Sequence, residues 1–253
     1  MYRALSVKVA GWLSTIGSVG QFLSDFLRSF ADVETWAGLT MVQMRRIGVD
    51  SLPIALFIAA FTGVVLALQA SYTFTGAIPL YFVGTLVGKT LMLELGPVLT
   101  GLALAGRVGA NIAAELGTMR VTEQVDALET LAFDPQSFLV VPRVIAASLM
   151  FPVVVAMAIA LGVVTGWLTA INLLELSTFE FMKGLKVFYE FKDIWFPLLK
   201  SVSFGFGIAL IGCMKGLGVR GGAEGVGRAT MQAVVLGSAL LLFLDALWAV
   251  LLL

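Results

Sequence analysis

ELGPVLTGLALAGRVGANIAAELGTMRVTEQVDALETLAFDP, residues 94–135, begins inside an apolar run and ends in a charged segment punctuated by glycine. Backbone polar groups cannot stay unpaired in lipid, so a long apolar run reads as a membrane-spanning helix. The second half of the stretch cannot lie at the same depth. It carries Glu115, Arg120, Glu123, Asp126, Glu129 and Asp134, and each charge at the bilayer centre costs roughly 2.5–3.5 kcal/mol on insertion scales. The chain is therefore predicted to leave the membrane here and to display a short, charged, helical loop, 115–134, placed to meet a soluble partner.

Working outward, the composition fits a membrane protein. Of 253 residues, 59% are hydrophobic and 13% charged, with a mean hydropathy of +1.00; a soluble domain is nearer half apolar and a quarter charged. Net charge is zero, so no basic field points to nucleic acid. There is no histidine, and Cys213 is the single cysteine. That removes Ser-His catalysis, His-ligated zinc and an internal disulfide. No catalytic residue, cofactor or metal ligand set is predicted. Gly237 and Ser238 read as helix packing through small residues rather than as a protease site.

Five spans are predicted, at about 49–72, 80–110, 142–172, 194–214 and 230–253. The second is long and interrupted by Pro97, so it is either a kinked helix or a short re-entrant piece followed by a full one. Ahead of the spans, Leu5, Val9, Trp12, Leu13 and Ile16, and then Phe22, Leu23, Phe26, Leu27 and Phe30, recur at three- and four-residue steps. This predicts an amphipathic interfacial helix rather than a cleaved signal, followed by a second short helix at about 34–46. The expected fold is all-α and integral to the membrane, a single domain over 1–253, with interfacial helices in 1–46 and the transmembrane region in 49–253.

Lys and Arg counts give the orientation. The N-terminal segment, the loop after span two and the loop before span five together hold eleven; the other side holds three, Lys183, Lys186 and Lys192, matched there by Glu175, Glu180, Glu190 and Asp193. The N-terminus and the 115–134 loop are thus predicted to be cytoplasmic. Within the spans, Lys89 and Glu94 lie five apart, and Lys200 and Asp245 sit in spans four and five. Ionisable groups at such depth are functional candidates, though an ion pair across helices would also account for them. Gln69 adds a polar group to span one. Gly101, Ala105 and Gly109, and Gly212 and Gly216, have the spacing that lets helices approach closely and often serves a homodimer.

The runs ELGPV (94–98), AGRVGA (105–110), AAELGTM (113–119), VTEQVDAL (121–128) and FDP (133–135), with GVVLALQA (63–70) and GVGRATMQAVV (225–235), resemble the MlaE-like permeases. These are the membrane subunits of ABC transporters that work with MCE-domain proteins in lipid trafficking. The resemblance spans essentially the whole chain. It implies a non-enzymatic phospholipid permease of the bacterial inner membrane, working as a homodimer with a cytoplasmic ABC ATPase and a periplasmic MCE-domain protein. ATP would be bound by the partner, since this chain has no G-x-x-x-x-G-K-[ST] loop. It further implies that the charged loop is a coupling helix, with Glu115, Thr118, Met119, Glu123, Gln124, Asp126 and Leu128 meeting the ATPase. Gln69, Lys89, Glu94 and Val98 would line the lipid cavity. Some members carry an arginine directly before the Glu-Leu-Gly-Pro run, where this chain has Leu93; a phosphate held there would fall to another group such as Lys89. Two other classes are an ion-coupled secondary transporter using Glu94 and Lys89, and a structural scaffold for an MCE ring. The first usually shows repeated halves, and no repeat is visible here.

Overall fold

The computed structural model describes residues 17–73, 79–174 and 176–252, and these fold as helices without strands. The expected amphipathic face formed by Leu5, Val9, Trp12, Leu13 and Ile16 lies outside the described residues. Residues 17–29 are helical (α1). Here Phe26 is buried and its ring meets Phe206 edge-on at 6.1 Å, so this face packs on the helix bundle. Helix α2, Val33–Ile47, follows and runs through a single 3₁₀ turn into α3, Leu52–Thr73. Pro53 falls in the first turn of α3, where its missing N–H breaks no helical hydrogen bond.

Among the described residues, five helical segments are long and apolar enough to cross a membrane: Val33–Thr73, Phe82–Val121, Gln136–Leu173, Lys192–Leu217 and Gly222–Leu251. The second resolves the alternatives left by Pro97. It is helical throughout, as α4 (Phe82–Thr90), α5 (Gly96–Leu104) and α6 (Ala110–Val121) joined by π-helical turns at Leu91–Leu95 and Ala105–Gly109. It is one long continuous helix, not a re-entrant loop. Each π turn inserts an extra residue into the i→i−4 ladder, and Pro97 sits in the first turn after one of them. A short helix α7 (Gln124–Thr130) leads to a third π turn, Gln136–Val140, and α8 (Val141–Leu173). Then come α9 (Thr178–Val187), α10 (Lys192–Leu217) and α11 (Gly222–Leu252).

Helix α8 lies between α3 and α10, and α10 also packs on α6 and α11. Small residues set these distances. A Cβ on Gly63 would lie 2.0 Å from the Gly162 carbonyl oxygen, and one on Gly205 2.5 Å from that of Ala147. The glycine and alanine faces read from the sequence as suited to a homodimer are used inside the chain instead. A Cβ on Gly216 would come within 2.7 Å of Leu116 Cβ, Gly101 faces Leu241 and Phe204, and Ala105 is fully buried. Spacing marks a close helix contact but does not say with which helix.

At one end of the bundle α9 packs on α4, begun by a capping box in which Ser177 and Glu180 satisfy each other's backbone N–H. The other end gathers the three positively charged segments. The end of α2, the α6–α7 region, the start of α8 and the turn after α10 meet there, through Arg46, Glu115 and Arg143 and through the contact of Gly117 with Val219. The Lys/Arg count had put these segments on one side of the membrane.

Candidate functional site

Pro97 prepares the centre of the site. It has no N–H to offer the carbonyl of Leu93 four residues back, and Lys200 Nζ reaches that oxygen at 3.5 Å. The same ammonium donates to Glu94 Oε2 at 2.8 Å and pairs with Asp245. Lys200 on α10 is thereby fully buried, held by carboxylates from the α4–α5 junction and from α11. Lys200 lies about 12 Å along α10 from its first residue at 1.5 Å per residue. That places the group near the middle of a hydrocarbon layer about 30 Å thick, where a lone ammonium would be very unfavourable. Two acids and one base leave a formal charge of −1. Asp245 is mostly covered, but the Glu94 side chain remains 47% exposed, so the network has one open member. Trp248, one turn beyond Asp245, donates its Nε1–H to Ser203 Oγ at 2.9 Å and seals the α10–α11 seam below it.

From Glu94 a stripe of one helix face continues through Val98 and Leu102, both partly buried, to Gly106, whose Cα side meets nothing within 4 Å. The face presents one carboxylate followed by the apolar side chains of Val98 and Leu102. Gln69 lies elsewhere, on the outward face of α3 with Phe61 and Val65. Lys89 is not brought to Glu94. It pairs at 2.9 Å with Asp193, the second residue of α10. The sequence reading had counted Asp193 among the solvated charges beyond the membrane; it is 1% exposed. Position at a helix start suggests solvent; the Lys89 ion pair and the packing of α8 and of the 91–95 turn on α10 show otherwise.

The second part of the site is the α6–α7 region. Glu115 is engaged within the chain, by Arg46 and by Arg143, each at 3.1 Å. Arg143 is itself buried and donates to the Leu139 carbonyl. Thr118, Glu123, Gln124 and Asp126 are exposed, Asp126 in an ion pair with Arg120. Met119 and Leu128 are partly buried against the chain's own core. The apolar groups that do face outward are Val121, 39% exposed, Leu131, 68% exposed, and Phe133, 49% exposed, which the sequence reading missed. Two non-glycine residues with left-handed backbone, Glu123 and Ala132, bracket α7. Val125 roots the helix in the core.

Asp134 ties this region down. Its carboxylate accepts from Ser29 Oγ on α1, from Ser137 Oγ and from the backbone N–H groups of Gln136 and Ser137. Burial pushes its carboxyl pKa up, but these hydrogen bonds outweigh it and hold the pKa below the ordinary value of 3.8. Among the described residues no group of three or more Asp, Glu, His or Cys side chains is placed to hold a metal.

A family model described as Permease MlaE matches residues 40–251. A probable ABC transporter permease protein of Rickettsia typhi is 42% identical over 228 residues, covering 90% of this chain and 88% of that protein. The intermembrane phospholipid transport system permease protein MlaE of Haemophilus influenzae is 32% identical over 243 residues, 96% of this chain and 93% of its own length. The chloroplastic protein TRIGALACTOSYLDIACYLGLYCEROL 1 of Arabidopsis thaliana is 36% identical over 197 residues, 78% of this chain and 56% of that one. Glu94, Lys200 and Asp245, one on each of three helices, all fall inside the matched region, and the chain is a multi-pass membrane protein that belongs to the MlaE permease family.

Proposed function

We propose that the protein is the permease subunit of an ABC transporter that moves phospholipid between the bacterial inner membrane and a periplasmic MCE-domain protein. The observation that carries the reading is the half-exposed carboxylate of Glu94, fixed by buried Lys200 at membrane mid-depth and followed by the apolar stripe of Val98 and Leu102. A polar anchor in lipid without an opening is unfavourable; one at the head of a smooth apolar face suits a headgroup with its acyl chains. Two copies facing one another through α3, α5 and α11 would enclose that stripe. The outward residues of α11, among them Met231, Val235, Phe243 and Val250, leave it the least covered of the five spans and free to take such a partner.

Helix α7, with Glu123, Gln124 and Asp126 exposed, docks on a cytoplasmic ATPase. Because 82–121 is one continuous helix, a displacement at α7 is carried through α6 towards Glu94, and the two π turns are places where the ladder can slip by one residue. Nucleotide chemistry belongs to the partner. A second reading, ion coupling, draws on the same buried network of one lysine and two acids.

Reconstitution with the ATPase and labelled phospholipid separates the two. Transport that requires ATP and is lost in Glu94→Gln, while the dimer and its thermal stability persist, supports the lipid reading. Transport driven by a proton gradient without ATP overturns it. Glu123→Lys with Asp126→Lys is expected to abolish co-purification with the ATPase without affecting membrane insertion.

A further inference from the structure

A cavity of about 490 Å³ opens at the charged end of the bundle, where α10 ends, α11 begins and α1 passes alongside. That volume lies within the usual range for ligand pockets, roughly 300–1,000 Å³. The charged lining is Lys215 from the last turn of α10, Arg220 from the connecting turn, and Glu224 and Arg228 from α11. Ser18 of α1 and Gln232 of α11 add polar groups.

Its frame is held in place while its mouth stays open. Val219 is buried and stands against Gly117 of α6. A Cβ on Gly225 would lie 2.1 Å from the Arg220 carbonyl oxygen, so the first turn of α11 presses on the connection and sets where Arg220 leaves it. Gly221 and Gly222 reverse the chain with left-handed φ of 91° and 69°. Nothing stands within 4 Å of where their Cβ atoms would be. Arg228 is paired with Glu224 at 2.9 Å, and both side chains are exposed. Among the described residues, neither Lys215 nor Arg220 has an ion-pair partner. Three cations and one carboxylate leave the cavity at +2. Lys215 is half-buried, so water screens its charge only in part, and a concave wall of one sign attracts an anion.

The depth says how that anion is presented. Lys200 and Asp245 form their ion pair near mid-membrane. Along α10, Lys215 lies a rise of about 22 Å from Lys200 at 1.5 Å per residue, and along α11 Gln232 lies about 20 Å from Asp245. Hydrocarbon extends about 15 Å from the midplane, and the headgroups reach to about 20–22 Å. Two helices thus independently place the cavity at headgroup level, in the leaflet at the charged end. A phosphate group could come to it from solution or on a lipid; at this depth the lipid already holds one.

We propose that this cavity binds the phosphate of an anionic phospholipid in that leaflet, with Lys215 and Arg220 as its charge partners. Basic pockets between transmembrane helices are suited to such headgroups. A zwitterionic lipid brings the same phosphate with an ammonium attached, which a cavity of net positive charge disfavours. The Arg228–Glu224 pair forms one wall and keeps Arg228 from folding over the opening. The site is distinct from the Glu94 stripe, and binding here neither needs nor implies transport.

A diazirine analogue of leucine placed at Gln232, in the full-length protein in nanodiscs, tests this. The same probe at Phe57, an exposed position on α3, is the reference. The nanodiscs would hold equal parts of phosphatidylglycerol (net anionic) and of phosphatidylethanolamine and phosphatidylcholine (both net neutral). Mass spectrometry of the photo-adducts is expected to show phosphatidylglycerol enriched several-fold at Gln232 over its share at Phe57. Lys215→Gln with Arg220→Gln should lower the enrichment to the Phe57 value, whereas Lys215→Arg with Arg220→Lys should keep it. If the double glutamine variant does not fold, Arg220→Gln alone, a change at an exposed side chain, should still cut the enrichment several-fold. Inorganic phosphate at constant ionic strength should leave it in place. Equal phosphatidylglycerol shares at the two positions, or enrichment untouched by Arg220→Gln, would overturn the proposal. So would its removal by low-millimolar inorganic phosphate, which would assign the cavity to a soluble phosphate instead.

Discussion

Lys200 and Arg143 are both buried cations on neighbouring helices, yet their surroundings differ. Lys200 sits near mid-membrane with two carboxylates and the carbonyl freed by Pro97. Arg143 lies at the charged end with the Leu139 carbonyl and one carboxylate, Glu115, which it shares with exposed Arg46. One region carries an excess negative charge, the other an excess positive one. The difference follows from depth. At the charged end solvent reaches Arg46 and part of Glu115, so a surplus cation is screened. At mid-depth nothing screens, so the ammonium must be fully enclosed, and an extra carboxylate is tolerated where Glu94 opens outward. A buried ion network with an open member is a poor source of stability and a good place to meet a ligand.

The largest effect is expected from Lys200→Met, which strands Asp245 and removes the anchor of Glu94. Breaking a buried pair in this way costs about 3–5 kcal/mol, read as a large fall in thermal stability of the purified protein. Adding Glu94→Gln and Asp245→Asn should recover most of the loss. Recovery of stability without recovery of lipid transport would separate the network's structural role from its functional one; no loss from the single substitution would erase the contrast with Arg143.

Glu115→Gln is the matching change at the charged end. Arg143 keeps the Leu139 carbonyl, and Glu115 is partly exposed, so the expected loss is smaller, about 1–2 kcal/mol. It should also shrink as salt is raised, whereas the effect of Lys200→Met should not. Equal salt dependence in both variants would show that depth is not what distinguishes the regions.

Asp134 sharpens the picture within the charged end. Its folded pKa lies below its unfolded one, so its stabilisation is complete above the ordinary carboxylate value and is lost as pH falls through the folded value. Asp134→Asn removes the charged acceptor for Gln136 and Ser137, at a cost of about 1 kcal/mol at neutral pH. The gap in melting temperature between wild type and variant should narrow on acidification below about pH 4. A constant gap would mean that the ionised form is not what holds α1 to the loop. The smallest effect belongs to Ala132→Gly. Ala132 has a left-handed φ of 63° and closes α7 with Phe133 N–H donating to the Leu128 carbonyl. Glycine relieves that strain and should raise stability by a few tenths to about 1 kcal/mol, measured as a slightly higher melting temperature.

The sequence by itself determined the five spans and the grouping of the positive segments, and left the course of the second span open between a kinked helix and a re-entrant piece. Each depends on a local property: apolar length, the cost of a charge in lipid, or the bias of Lys and Arg between loops. It also picked out Glu94, Lys200 and Asp245 as anomalies, because an ionisable residue within an apolar run is visible without a fold. Only the tertiary structure decided who pairs with whom. Lys89 finds Asp193 and Lys200 finds Glu94 and Asp245, although Lys89 and Glu94 are the near neighbours in sequence. Lys89 lies just before the π-helical turn at 91–95 and Glu94 within it, and α10 meets the two with different residues. The same reason sent Gly212 and Gly216 to α6 rather than to another copy. Spacing gives a residue its face on a helix, but the neighbour it meets is set by how all the helices pack.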